Sequence, residues 1–146
     1  MALVEKLEGN LELKSPAEKF YKVLKSENHH IPKACSDKVQ SIEVHEGDWE
    51  TPGSIKFWNY TVDGKAEIWK EKVEVDEANK TVTFVAVEGH VLDLYKTYKA
   101  IVKVERGVAK VTLEYEKLNQ NVPAPNNYLQ LATNILKDID AHLVKG

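Results

Sequence analysis

Pro125-Asn-Asn-Tyr-Leu-Gln-Leu-Ala-Thr-Asn-Ile-Leu-Lys-Asp-Ile-Asp-Ala-His-Leu143 is the one long stretch of this sequence with an unbroken helical rhythm. Tyr128, Leu131, Ile135 and Ile139 recur at helical steps, and Leu129, Ala132, Leu136 and Leu143 form a second stripe beside them. Pro125 suits a first turn, where its missing N–H costs nothing. Asn126, Asn127, Gln130, Lys137, Asp138 and Asp140 are expected on the opposite side. At about 1.5 Å per residue the rod spans roughly 27 Å, the width of a small domain. Two apolar stripes are more than a surface helix needs, so the rod must press into something concave.

What precedes it reads as sheet. Leu3, Leu7, Leu11 and Leu13 share one parity and Lys6, Glu8, Asn10 and Glu12 the other, which predicts a half-buried strand over 2–13. Ser15-Pro16-Ala17-Glu18 has the form of a capping box opening a short helix with Phe20, Val23 and Leu24 inward. A second short helix is expected over 27–34, interrupted near Pro32. Strands follow at 39–46, 54–62, 65–75, 79–88, 95–105 and 108–118. Asp63-Gly64 is a strong two-residue hairpin signal, Arg106-Gly107 a weaker one, and 76–79 a polar turn. Sequential hairpins make an antiparallel meander, which the first strand can join as a seventh. Only the long helix is left to cover its apolar side.

The inward parity takes Trp58 with Tyr60, Val82 with Phe84 and Ala86, Tyr98 with Ala100, Val102 and Val104, and Val111 with Leu113 and Tyr115. Along 65–75 it takes Ala66 and Ile68, with Lys72 near a rim. Tyrosines on this face need either buried hydrogen-bond partners or a cavity where their hydroxyls meet water or a ligand.

The chain has 146 residues, enough for one domain with a core of its own, expected over 1–146. Charged residues make up 29%, net charge is −3, and Lys and Glu are interleaved, a poor match to nucleic acid. A single cysteine, Cys35, excludes an internal disulfide and a multi-thiolate metal site. The opening Met1-Ala-Leu-Val-Glu lacks the pattern of a signal peptide, and no apolar run reaches membrane-span length, so a cytoplasmic location without membrane insertion is expected.

Across the whole chain, several runs carry a resemblance: His45-Glu-Gly-Asp-Trp49, Pro52-Gly-Ser-Ile55, Phe57-Trp-Asn-Tyr60, Val87-Glu-Gly89, Leu113-Glu-Tyr-Glu-Lys117 and Ile139-Asp-Ala-His-Leu143. Together they resemble the major latex protein family, the plant branch related to the birch-pollen-allergen and class-ten pathogenesis-related proteins. The resemblance implies an α+β helix-grip fold. In it a curved seven-stranded antiparallel sheet wraps around a long C-terminal helix, two short helices form a V, and a cavity lies inside. It also implies a binding or carrier role, linked to plant defence or stress, for a small hydrophobic molecule of hormone, sterol-like, flavonoid or fatty acyl type. The expected lining is Leu24, Trp58, Tyr60, Ile68, Phe84, Tyr98, Leu113, Tyr115, Tyr128, Leu131, Ile135 and Ile139. Burying ~300 Å² of ligand is worth roughly 7 kcal/mol before ordering costs. No metal or cofactor is expected, and the chain is expected as a monomer or weak dimer.

The alternative is an enzyme of alkaloid or aromatic metabolism, with Lys56, Tyr60, Tyr115 or His142 carrying protons. Ribonuclease activity, proposed for some class-ten relatives, rests on a loop lysine and a carboxylate–tyrosine set. Lys56 stands at the loop lysine, but Asp140, His142 and Tyr95 replace most of the rest. The glycine loop around Gly47 and Gly53 is flanked by Glu46, Asp48 and Glu50, a poor phosphate cradle. His29 and His30, adjacent in sequence, point apart on a helix and do not make a metal pair. Cys35 has no visible catalytic partner. Glu71 and Lys72 face opposite sides of a strand, so they cannot work as a pair.

Overall fold

The computed structural model describes residues 4–145, so Leu3 of the expected first strand lies outside the described residues. Its elements run β1 (Glu5–Glu12), α1 (Ala17–Ser26), a 3-10 turn (Asn28–His30), α2 (Ile31–Ala34), β2 (Val39–Glu46), β3 (Ile55–Val62) and β4 (Lys65–Asp76). Then come β5 (Thr81–Gly89), a 3-10 turn (His90–Asp93), β6 (Tyr95–Glu105), β7 (Val108–Lys117) and α3 (Asn126–Lys145). The seven strands form one antiparallel sheet in the order β1-β7-β6-β5-β4-β3-β2. It is the expected meander, with β1 laid against β7 from Glu5↔Tyr115 to Glu12↔Val108.

The turn chemistry explains the register. Asp63 and Gly64 have φ of 52° and 76°, and Arg106 and Gly107 have 52° and 75°. Positive φ at both central residues marks the type I′ turn, whose twist matches that of the flanking strands. The second hairpin is therefore as tight as the first. Val62 pairs with Lys65, so Trp58 meets Trp69, Tyr60 meets Glu67 and Lys56 meets Glu71.

That pairing overturns the expected face of β4. Ala66 and Ile68 lie outside, Ile68 being 38% exposed, and the concave side takes Glu67, Trp69, Glu71 and Val73. A two-residue turn joins even positions of β3 to odd positions of β4, and an odd slip moves every side chain to the other face. Lys72 is exposed and Glu71 buried, as their opposite parities require.

Two further expectations give way. α1 is preceded by Pro16 and has no side-chain cap. Ser15, read as the first residue of a capping box, instead donates both its amide (2.9 Å) and its hydroxyl to Asp140 of α3. Asp140 is accordingly buried, 5% exposed, rather than on the polar side of the rod. α3 lies across the concave face, with Tyr128, Leu136 and Ile139 buried and Leu131, Ala132 and Ile135 half-buried. Its Leu129 and Thr133 rest against Gly9 of β1, where an added Cβ would already touch both.

Candidate functional site

Between α3 and the concave face lies an apolar cavity of about 100 Å³. Leu24, Trp58, Tyr60, Phe84, Tyr98, Tyr128, Leu131, Ile135 and Ile139 of the expected set line it. Ile68 does not, because it points outward. Leu113 and Tyr115 face inward but are packed solid, 0% and 2% exposed, away from the cavity wall. Ile31, Trp69, Val91, Ala100, Val102, Val111, Ala132 and Leu136 complete the lining. Ala100, Val102 and Val111 are on the expected inward parity and Ala132 and Leu136 on the expected apolar stripe, though outside the expected site set, and Ile31, Trp69 and Val91 were missed. The turn arithmetic of Asp63-Gly64 was the available signal for Trp69.

The wall is a chain of aromatic rings. Trp58 meets Trp69 at 5.9 Å and Phe84 at 6.3 Å between centroids, Trp69 meets Tyr98 at 6.0 Å, and Tyr98 meets Tyr128 at 5.9 Å. These edge-to-face contacts run from β3 across the sheet to α3, the arrangement ring quadrupoles favour. Two tyrosine tips do not hang free. Tyr60 donates to Glu67 Oε1 at 2.9 Å, and Tyr128 donates to the same oxygen at 2.7 Å. With their protons committed, the two phenol oxygens offer the cavity acceptors only. Burial first, with Tyr128 and Glu67 adding for Tyr60 and Glu67 for Tyr128, pushes both phenols well above their ordinary value, so they stay neutral.

A second polar group sits on the same concave face, toward α1. Lys56 is 1% exposed, Glu71 0% and Asn28 0%. Asn28 Nδ2 donates to the carbonyls of Val23 and Leu24, tying off the end of α1, while its Oδ1 accepts from Lys56 Nζ at 3.0 Å. Trp58 Nε1 donates to Glu71 Oε1 at 3.0 Å. Burial pushes the Glu71 carboxyl up to about 7 and pulls the Lys56 ammonium down, each group partly offsetting this for the other.

The remaining candidates disperse. Most amides of the Gly47 loop are engaged: Asp48 Oδ1 accepts from Glu50 and Thr51, Ser54 Oγ accepts from the Asp48 amide, and Gly53 donates to the carbonyl of Val73. Those amides are not free to cradle a phosphate. Cys35 is buried, and burial raises its thiol to about 11, far from a thiolate nucleophile. Among the described residues no cluster of histidine, cysteine or acidic side chains could hold a metal. His142 is exposed on α3, Tyr115 lies off the cavity, and Lys56 and Tyr60 sit four positions apart on β3, so the proposed proton carriers form no common site. Among the described residues no helix is long and apolar enough to cross a membrane.

Comparison with known proteins matches this geometry. MLP-like protein 328 of Arabidopsis thaliana is 41% identical over 139 residues, 92% of this chain and 92% of that protein. The crystal structure of ginseng major latex-like protein 151 from Panax ginseng superposes with a TM-score of 0.93 at 35% identity, covering 96% of this chain and 97% of its own. Norcoclaurine synthase from Thalictrum flavum has a TM-score of 0.75 over 99% of this chain and 89% of its own, and at 19% identity shows the shared fold alone. The model of the pathogenesis-related protein Bet v 1 family matches residues 2–146. With its seven-stranded helix-grip architecture and relatives among the major latex-like proteins, the chain belongs to the pathogenesis-related protein Bet v 1 family.

Proposed function

We propose that this protein is a carrier or receptor that holds a small, mostly apolar molecule between α3 and the concave face of the sheet. The observation that supports this reading is the aromatic-lined void beneath α3, which a protein built only for stability would fill. Drug-sized ligands occupy pockets of about 300–1,000 Å³, so the void of about 100 Å³ takes one ring, and larger guests must displace side chains. Burying roughly 200 Å² of such a ligand is worth about 5 kcal/mol before ordering costs. The whole chain would act as one domain, free in the cytoplasm, and the family description supports a place in plant defence. An enzyme reading has no gathered set of proton carriers to stand on.

The test is a substitution at midcavity. Ile135 lines the void from α3. Ile135→Trp is expected to fill it and weaken an environment-sensitive naphthalene probe by about tenfold or more, roughly 1.4 kcal/mol, while unfolding stays cooperative. Unchanged affinity in the folded variant would place the probe elsewhere and end the reading.

A further inference from the structure

Lys56 and Glu71 are directly paired across β3 and β4, and both side chains enter the concave face beside the cavity-lining Trp58. Their hydrogen bonding is incomplete in a complementary way. The Lys56 ammonium has three N–H donors, of which Asn28 takes one, and the two charged groups do not close to an ion-pair contact. Glu71 spends Oε1 on Trp58, and its fully buried Oε2 has no partner. Such an orphan is expensive and calls for an occupant. The β4–β5 ladder also slips between Lys70 and Glu71, the kind of bulge that re-aims a side chain beside a site. Trp58, which donates to Glu71, and Leu24, whose carbonyl accepts from Asn28, both line the cavity, while Lys56 and Glu71 are buried directly beside that lining rather than in it.

We propose that Lys56 and Glu71 form a polar receptor for the hydroxyl of an otherwise apolar alcohol or phenol, whose oxygen accepts from Lys56 Nζ while its O–H donates to Glu71 Oε2. The assignment rests on the carrier reading above and names the chemical class of its ligand. A carboxylate would set a second negative charge beside Glu71, and an amine a second positive charge beside Lys56. An ether would accept from the lysine but leave Oε2 orphaned. Only a group that both donates and accepts completes the pair. The Tyr60–Glu67–Tyr128 cluster offers acceptors alone, so it does not duplicate this recognition.

The experiment is competition against the naphthalene probe by phenylpropanol with its hydroxyl at the chain end, by its methyl ether, and by propylbenzene. One ring fits the void, and the arm reaches toward Trp58. On the unaltered protein at about pH 8, where Glu71 is mainly ionised, the alcohol is expected to displace the probe at about one tenth the concentration the ether needs, the yield of one hydrogen bond to a charged group. In the double variant Lys56→Met/Glu71→Met that advantage is expected to fall below about twofold, with probe binding retained, because removing both charges together avoids stranding one. Glu71→Gln, which replaces the spare acceptor with an N–H₂ donor, is expected to erase the preference in the same way. Equal potency of alcohol and ether on the unaltered protein would mean the pair holds only a water, and would overturn the proposal. So would an alcohol preference that survives in the double variant. A probe that fails to bind the unaltered protein at all would sink the carrier reading itself, a separate result.

Discussion

Asp140 accepts from the Ser15 amide and hydroxyl and from the Lys14 amide at 3.0 Å, at the corner where β1 hands over to α1. Asp140→Ala orphans those donors and is expected to cost about 2 kcal/mol, read as an earlier urea midpoint. Burial by itself would raise this carboxyl, but the bonds from Ser15 and Lys14 win and hold it below the usual 3.8. A carboxyl lowered on folding lends stability above its unfolded value and loses it as the pH falls through the folded one. The protein and the alanine variant should therefore converge in strong acid. Glu71 carries the opposite sign. Its folded value, about 7, lies above the ordinary 4.5, so its contribution is full in acid and is lost as the pH rises between them. The unaltered protein is expected to lose on the order of 3 kcal/mol across that window. Glu71→Gln should remove that slope in urea titrations run at several pH values, and an identical slope in the variant would assign it to other groups.

At the scale of the elements, α1 and α2 both meet α3 beside the cavity. A surface depression there is lined by Val23, Glu27, His30, Ala34, Ile139, His142 and Leu143. Ile139 also lines the cavity and is 2% exposed, so its side chain borders both spaces. Ile139→Ala is expected to join them. Stability should fall by about 3 kcal/mol from the lost packing, and association of the naphthalene probe should quicken at least several-fold in stopped flow. An unchanged association rate in the folded variant would place the portal elsewhere. The hairpins show which features of an element can be read locally. Asp63-Gly64 and Arg106-Gly107 announce their turns in two residues, and each strand between them alternates. The expected face of β4 fails because Ala66 and Ile68 lie outside, while Glu67 and Glu71 lie within beside Trp69 and Val73. Apolar patterning points the wrong way wherever the concave face holds charge.

For the whole molecule, the element order, the antiparallel meander and the covering helix were legible, because each rests on short-range periodicity and turn chemistry. Much of the candidate lining followed from strand parity and from the apolar stripes of the helices. What parity could not say is how far along a strand the void extends. Leu113 and Tyr115 have the right face but sit where the interior is filled. The bond of Asp140 to Ser15 joins residues 125 apart in sequence, and no local pattern announces it. α3 itself is fastened near both ends. Tyr128 is held to Glu67 and Asn127 to Asp63 at one end, and at the other Asp138 is held by Lys38 at 2.7 Å and Asp140 by Ser15. A beam clamped at its supports yields most at midspan, here over Leu131, Ala132 and Ile135. The guest's girth, more than its length, therefore sets the penalty for admission: a thin chain threads beneath the beam, and a thick polycycle has to bow it.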